Sequence, residues 1–263
     1  MSDITSSTNG RVKHIKRLLN DRRFRLRESQ FAVEGSRWMS EIVRAKTGPD
    51  LWLATESWIE NNADLTEQVT AISQPPLTIE PNILKELADT NTPSGVLAVL
   101  PLPQLNWPKA PTFLLCLDQV RDPGNLGTLM RSAFAAGVEG LILGPGCVDP
   151  FNPKVVRSSM GTVLRLPVQQ TDWADGARTA DLLGQCSVYL ADAAGKTAYT
   201  AVDWRQPAAA MIGGEAAGAG ESAKAIVHEM ISIPMAQAAE SLNAGVAGSV
   251  ILFEALRQKN VSA

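Results

Sequence analysis

Apolar positions run through this chain in two rhythms. Between residues 11 and 29 they fall at Val12, Ile15, Leu18 and Leu19, one face of a helix, with Lys13, Lys16 and Arg17 turned away from it. After that come short apolar runs. Strands are expected at 31–33, 51–54, 69–72 and 95–100, and helices at 36–45, 56–62 and 82–88. The alternation predicts a small α/β domain over residues 1–100 with both faces of its sheet covered. Residues 100–111 hold four prolines in 12 positions. Neither a helix nor a central strand continues through that, so 101–111 reads as a linker.

The second domain, 112–263, predicts strands at 112–117, 141–143, 163–168, 188–191 and 208–212, with helices at 125–136, 153–160 and 173–186. Its strands are unbroken apolar runs, the pattern of a largely parallel sheet buried on both faces. Two runs end at turn-forming residues. The run 208–212 empties into Gly213-Gly214-Glu215, and 231–235 closes at Pro234. Ser241-Leu242-Asn243 then opens a last long helix. Strands that stop at such turns bring backbone N–H groups and a carboxylate into the crevice at the sheet's end, a setting for a small-molecule pocket.

Composition narrows the chemistry. With 45% hydrophobic and 19% charged residues, the chain is of ordinary globular type, and no apolar run is long enough to span a membrane. The N-terminal residues lack an apolar stretch of signal-peptide length, which points to the cytoplasm. Three scattered cysteines (Cys116, Cys147, Cys186) and two histidines fit neither a disulfide framework nor a metal site. Catalysis would rest on Arg, Asn, Ser, Glu and backbone groups, or on a reactive cofactor. Net charge is −3, yet residues 1–46 hold 11 Lys and Arg against 5 Asp and Glu, a local +6 that leaves −9 for the remainder. Lys13, Lys16, Arg17, Arg22, Arg23, Arg25 and Arg27, with Phe24 among them, form a candidate phosphate-contacting face for nucleic acid. A solvated surface helix is the alternative.

Three constellations carry candidate chemistry, beside the plainer alternatives of an Asn cap with a surface arginine and a Gly-rich surface loop before an ordinary core helix. In Asp118–Arg131, Pro123 and Gly124 set a turn, Asn125 is expected to cap the following helix, and Arg131 lies six residues on. In Gly213-Gly214-Glu215, the glycine N–H groups suit a nucleotide-like ligand, and Glu215 suits a cation, Arg131 or the Asn125 loop. In Ser241-Leu242-Asn243, side-chain oxygens meet the free N–H groups of a helix start.

Taken together, DPGNLGTLMRSA, MIGGEAAG and ISIPM…SLNAGVAGSVILFEA resemble the three motifs of the SpoU (TrmH-like) RNA 2′-O-ribose methyltransferases of the SPOUT superfamily. The N-terminal RVKHIKRLL…FAVEGSRWMSE is similar to the substrate-binding domain of that family's ribosomal RNA enzymes. The resemblance implies an α/β sheet with a C-terminal trefoil knot, S-adenosylmethionine as cofactor without a metal, an RNA substrate, and a homodimer. It implies that Gly213, Gly214, Ile233 and Leu242 hold the cofactor. It makes Asn125, Arg131, Glu215, Ser241 and Asn243 the polar active site, with Arg131 acting on the ribose hydroxyl. Ala216 departs from the Glu-Gly that often follows in the middle motif. Three rivals stand beside this. One is a dinucleotide enzyme using G-x-G-x-x-A at 218–223, far from any opening βα turn. Another is a non-catalytic RNA-binding protein of the same fold. The third is a methyltransferase acting on transfer RNA.

Overall fold

A computed structural model describes residues 2–88, 92–215, 218–236 and 241–260. The chain divides into two compact units, Met1–Gln104 with Phe151–Leu164, and Leu105–Pro150 with Arg165–Ala263.

The first unit carries α1 (Gly10–Asn20), α2 (Arg22–Glu28), β1 (Gln30–Glu34), α3 (Ser36–Ala45), β2 (Leu51–Ala54), α4 (Glu56–Asn61), α5 (Ala63–Thr70), β3 (Leu77–Thr78), α6 (Pro81–Leu87) and β4 (Val96–Pro101). Its sheet runs β1-β4-β2-β3, antiparallel except for the β2–β3 pair. Residues alternate between two buried faces. Ala32, Leu53, Leu97 and Val99 pack with Val12, Ile15 and Leu18 of α1 and with α6. Phe31 and Val33, on the opposite side, are also buried.

The rest of the chain adds β5 (Phe113–Leu117), α7 (Pro123–Ala135), β6 (Gly140–Leu143), α8 (Pro153–Ser159), β7 (Val168–Gln170), α9 (Gly176–Leu183), β8 (Ser187–Ala191), β9 (Thr197–Ala198), β10 (Ala208–Ile212), α10 (Glu221–Lys224), β11 (Glu229–Ser232) and α11 (Ala244–Asn260). Seven strands form one sheet in the order β7-β6-β5-β10-β8-β11-β9, and every pairing is parallel. All five residues of β5 and all five of β10 are buried. Such strands need cover on both sides. Trp173, Leu182 and Leu183 cover one face. α7 and α11 lie together beyond β10, close enough that a Cβ on Gly248 would stand 2.3 Å from Leu129 Cδ2.

Several expectations need correction. Residues 69–72 are no strand. Val69 is the buried residue of α5, four positions after half-buried Leu65, and that helical spacing was overlooked. Of the expected strand 163–168 only Val168 is extended, as the first residue of β7, because Gly161 (φ +83°) opens a 3₁₀ turn at Thr162–Leu164 and Pro167 has no N–H to donate. The expected helix 173–186 begins only at Gly176, capped by Asp175, since Trp173 turns its ring inward against Gly144. The expected linker opens one residue late, with Pro101 still paired to Gln30 in β4. Residues 151–164, assigned by sequence to the second domain, belong to the first unit, where the Phe151 and Phe31 rings lie 5.2 Å apart.

Candidate active site

The order of the parallel sheet reverses beside β5: the chain passes from β5 to β6 and β7 on one side, then returns to β8, β10 and β11 on the other. The crevice outside the strand ends at such a reversal is where open α/β sheets bind ligands. There β5 is followed directly by Asp118 and β10 by Gly213. Asp118 donates its N–H to Ile212 O (3.0 Å), and its buried carboxylate accepts from Trp173 Nε1 (2.7 Å) and from Gly220 N (2.8 Å). A buried anion with two such donors holds the returning chain in place.

Glycine at 213 and 214 has a structural cause. A Cβ on Gly213 would lie 2.5 Å from Ala219 N, and one on Gly214 would lie 2.5 Å from Gln119 O. The Gly214 N–H already donates to Gly218 O (3.0 Å), and the reverse bond closes the turn. It therefore does not point its N–H at a ligand as the sequence suggested. Ala216 lies outside the described residues.

Asn125 is not the cap of α7. Asp122 takes that role and accepts from Asn125 N (2.7 Å), being the residue whose backbone is extended just before the Pro123 start. This releases the Asn125 side chain. Its Nδ2 donates to Glu215 Oε1 (2.6 Å), and its Oδ1 accepts from Asn243 Nδ2 (2.9 Å). Asn243 Oδ1 in turn accepts from Val246 N (3.2 Å), capping α11. Each amide has one orientation that satisfies both neighbours, so donors run one way, from Val246 through Asn243 and Asn125 to the Glu215 carboxylate. Gly245 leaves room for this, since a Cβ there would come within 3.2 Å of Asn243 Oδ1 and 3.3 Å of Asn125 Oδ1. Among the described residues, the second amide hydrogen of Asn125 and that of Asn243 have no acceptor. The result is a carboxylate and two amide donors, assembled from stretches 90 and 118 residues apart.

A cavity of about 360 Å³ lies at the ends of β8 and β11, lined by residues that include Asp192, Ile231, Ile233, Pro234, Ser241, Leu242 and Ala247. The structure thus brings Ile233, Ser241 and Leu242 together. Gly213 and Gly214 are not among the lining residues. Arg131 is exposed on α7 and has no hydrogen bond or ion pair among the described residues. The neighbouring Ser132 bonds Ser249 Oγ (2.7 Å) and so ties α7 to α11. The sequence reading placed Asp118 at the start of the first constellation without a role and missed Asp192. Both follow an apolar strand directly, the same signature that drew attention to Gly213. Cys147 lies beside the first motif, its thiol donating to Leu117 O (3.3 Å). Burial pushes it up to about 11, so it is no nucleophile near neutral pH.

On the first unit, α1 and α2 are capped by Asn9 and Asp21. Arg25 does not belong to the basic face. It is buried, and its Nη1 donates to Leu18 O (2.6 Å), closing the end of α1. Arg17 and Arg27 lie over the Phe24 ring at 3.9 and 4.8 Å. Lys16 pairs with Glu86 (3.0 Å). Lys13, Arg22 and Arg23 are exposed or nearly so.

Residues 112–253 match the model of the SpoU rRNA Methylase family, and residues 9–98 match an MRM3-like substrate binding domain. The chain is similar to an uncharacterized tRNA/rRNA methyltransferase of Synechocystis sp., at 32% identity over 98% of this chain and 95% of that one. It is equally similar, at 32% identity over 97% and 92%, to the 23S rRNA (uridine(2479)-2′-O)-methyltransferase of Streptomyces viridochromogenes. Among solved structures, the SpoU methyltransferase AviRb of Streptomyces viridochromogenes in complex with AdoMet superposes with a TM-score of 0.81, at 30% identity, covering 96% of this chain and 98% of that one. The fold is accordingly the SPOUT-type α/β architecture, for which the sequence resemblance implied a knotted C-terminus, preceded by a substrate-binding domain.

Proposed function

The chain belongs to the SpoU rRNA Methylase family, and on that footing we propose that it transfers a methyl group from S-adenosylmethionine to a ribose 2′-hydroxyl of ribosomal RNA. The observation that carries this is the one-way chain Asn243–Asn125–Glu215 at the sheet reversal, in the same unit as a ligand-sized cavity.

The residues present fit the cofactor. About 360 Å³ lies within the range of small-molecule sites, and the wall is mainly apolar and backbone, with few polar side chains. Ile233 and Leu242 would hold the adenosine, while Gly213 and Gly214 keep the neighbouring turn tight. No metal is part of the proposal. When bound, the cofactor supplies an electrophilic methyl group on a sulfonium sulfur. The chain's own task is alignment and exclusion of water. The free amide hydrogens of Asn125 and Asn243 donate to ribose oxygens, Glu215 fixes both amides in orientation, and Ser241 contributes its hydroxyl at the cavity wall. The Arg131 guanidinium serves as an anion-binding group for RNA phosphate and the 2′-oxygen, with phosphate or water taking the proton.

Lys13, Arg17, Arg22, Arg23 and Arg27 would contact RNA phosphates on the first unit, supported by their exposure and by the match of this segment to a substrate-binding domain. Lys16 would join them by exchanging Glu86 for phosphate. A homodimer fits the second unit, where Phe134 of α7 and Val246 and Phe253 of α11 expose large apolar side chains. The direct test uses ribosomal RNA with a single 2′-deoxy nucleotide at the modified position. It should accept no methyl group there, and the ribose product should resist alkaline cleavage at one phosphodiester. Equal methylation of the deoxy substrate would assign the methyl to a base atom and end the proposal.

A further inference from the structure

Asp192 is the single charged side chain among the described residues that line the cavity. Its placement is tightly determined. Its N–H donates to Ile231 O (2.9 Å), its carbonyl accepts from Gly195 N (3.0 Å), and Oδ1 accepts from Ala194 N (2.8 Å). Gly195 allows this turn to press on β11, since a Cβ there would stand 2.5 Å from Ile231 C. The second carboxylate oxygen, Oδ2, has no hydrogen bond among the described residues. The cavity therefore has an anion built into one wall, held by a short turn rather than by a flexible side chain.

We propose that Asp192 makes the cavity select the sulfonium form of its ligand over the neutral thioether that remains after methyl transfer. The proposal rests on the cavity being the cofactor site. The methionine ammonium and carboxylate are common to cofactor and product, and so are the adenosine hydroxyls. The two differ by the methyl group and by the positive charge on sulfur. Ligand and Asp192 would share one confined space of about 360 Å³, partly shielded from water, where Coulomb attraction between a sulfonium and a carboxylate is not negligible. A fixed anion there holds the charged donor and releases the spent one, which relieves product inhibition without any contact to the RNA.

The test is calorimetric binding of S-adenosylmethionine and S-adenosylhomocysteine to the full chain and to Asp192→Asn and Asp192→Ser. Both replacements keep an oxygen to accept from Ala194 N, so the turn survives while the charge goes. The ratio of the S-adenosylhomocysteine Kd to the S-adenosylmethionine Kd should fall about fivefold to tenfold in both variants, mainly through weaker S-adenosylmethionine binding. In the unaltered protein the same ratio should shrink as salt rises. An unchanged ratio in both variants overturns the role of Asp192 and leaves the cofactor assignment standing. Failure of the unaltered protein to bind either ligand overturns the cavity assignment as well.

Discussion

The basic helices of the first unit and the strand-end site of the second are built on opposite plans. Along α1 and α2, eight Lys and Arg residues crowd into positions 11–27, and each acts through its own long side chain. The site at β5 and β10 has few charged groups, and its position comes from backbone: five buried strand residues on each side, two tight glycines, and amides locked by one another. A charged face of the first kind tolerates the loss of a member, because phosphate contacts act almost independently. A linked site of the second kind does not, because each amide orients the next.

The largest expected effect lies in the second unit, at an arginine that acts through its own side chain beside the linked amides. Arg131→Ala should reduce turnover on the order of 100-fold, about 3 kcal/mol in the barrier, while S-adenosylmethionine affinity stays within a few-fold. Arg131→Lys should recover only part of the rate, since an ammonium lacks the planar fork. Single-turnover rates beside calorimetry check this. Full activity in Arg131→Ala would show that this site tolerates losses as the basic face does.

Next comes the scaffold beneath the site. Asp118→Ala strands the Trp173 and Gly220 N–H groups and should cost about 3 kcal/mol of stability. Hydrogen exchange should rise at Gly214, Gly218 and Gly220 and stay unchanged in the first unit. Loss of protection spread evenly through both units would show that they do not unfold separately.

The first unit offers an internal control. Arg25→Ala should cost about 2 kcal/mol in melting experiments, because a buried charged donor to Leu18 O is lost, and should leave the salt dependence of RNA binding as it was. Replacing Arg22, Arg23 and Arg27 by Ala should do the reverse. Stability should hold, while the log–log salt slope falls by about 0.7 to 0.9 per lost contact. A slope that responds to Arg25 but not to the exposed three would invert the assignment of this face.

The smallest effect is a pH difference between the units, since all three cysteines lie in the second. Burial raises Cys147 and Cys186 to about 11 in the folded chain. In the unfolded chain a thiol titrates near its ordinary value of about 8.5. The protonated thiols therefore favour folding fully below that value, and this contribution is lost as pH climbs towards 11. Melting at pH 7.5 and pH 10 should show the second unit losing a few degrees more than the first, and Cys147→Ala should narrow the gap.

Much of this was legible in the chain itself. The five-residue apolar runs of β5 and β10 announced buried parallel strands, and the Gly213-Gly214-Glu215 turn and the Ser241-Leu242-Asn243 helix start stood out beside them. Local signals failed where a residue had two uses. Asn125 is as good a helix cap as Asp122, and only the Pro123 start decides between them. Arg25 has the same composition as its exposed neighbours and differs only in the direction its helix turns it. Trp173 fits a helical pattern but is drawn out of it by Asp118.

The sequence by itself determined the alternation of elements, the basic N-terminal face, and the residue types available for chemistry, because these follow from periodicity and composition over a few turns of chain. Tertiary structure alone decided which of those residues meet. Glu215, Asn125 and Asn243 touch because β5 and β10 pair in register and α11 packs on α7. Residues 151–164 join the first unit because their apolar side chains find their partners there. Asp192 lines a cavity because a glycine three residues on lets its turn lie against β11. Contacts between residues some 100 positions apart depend on how layers stack, and hydrophobic burial drives that stacking without leaving a local mark in the chain.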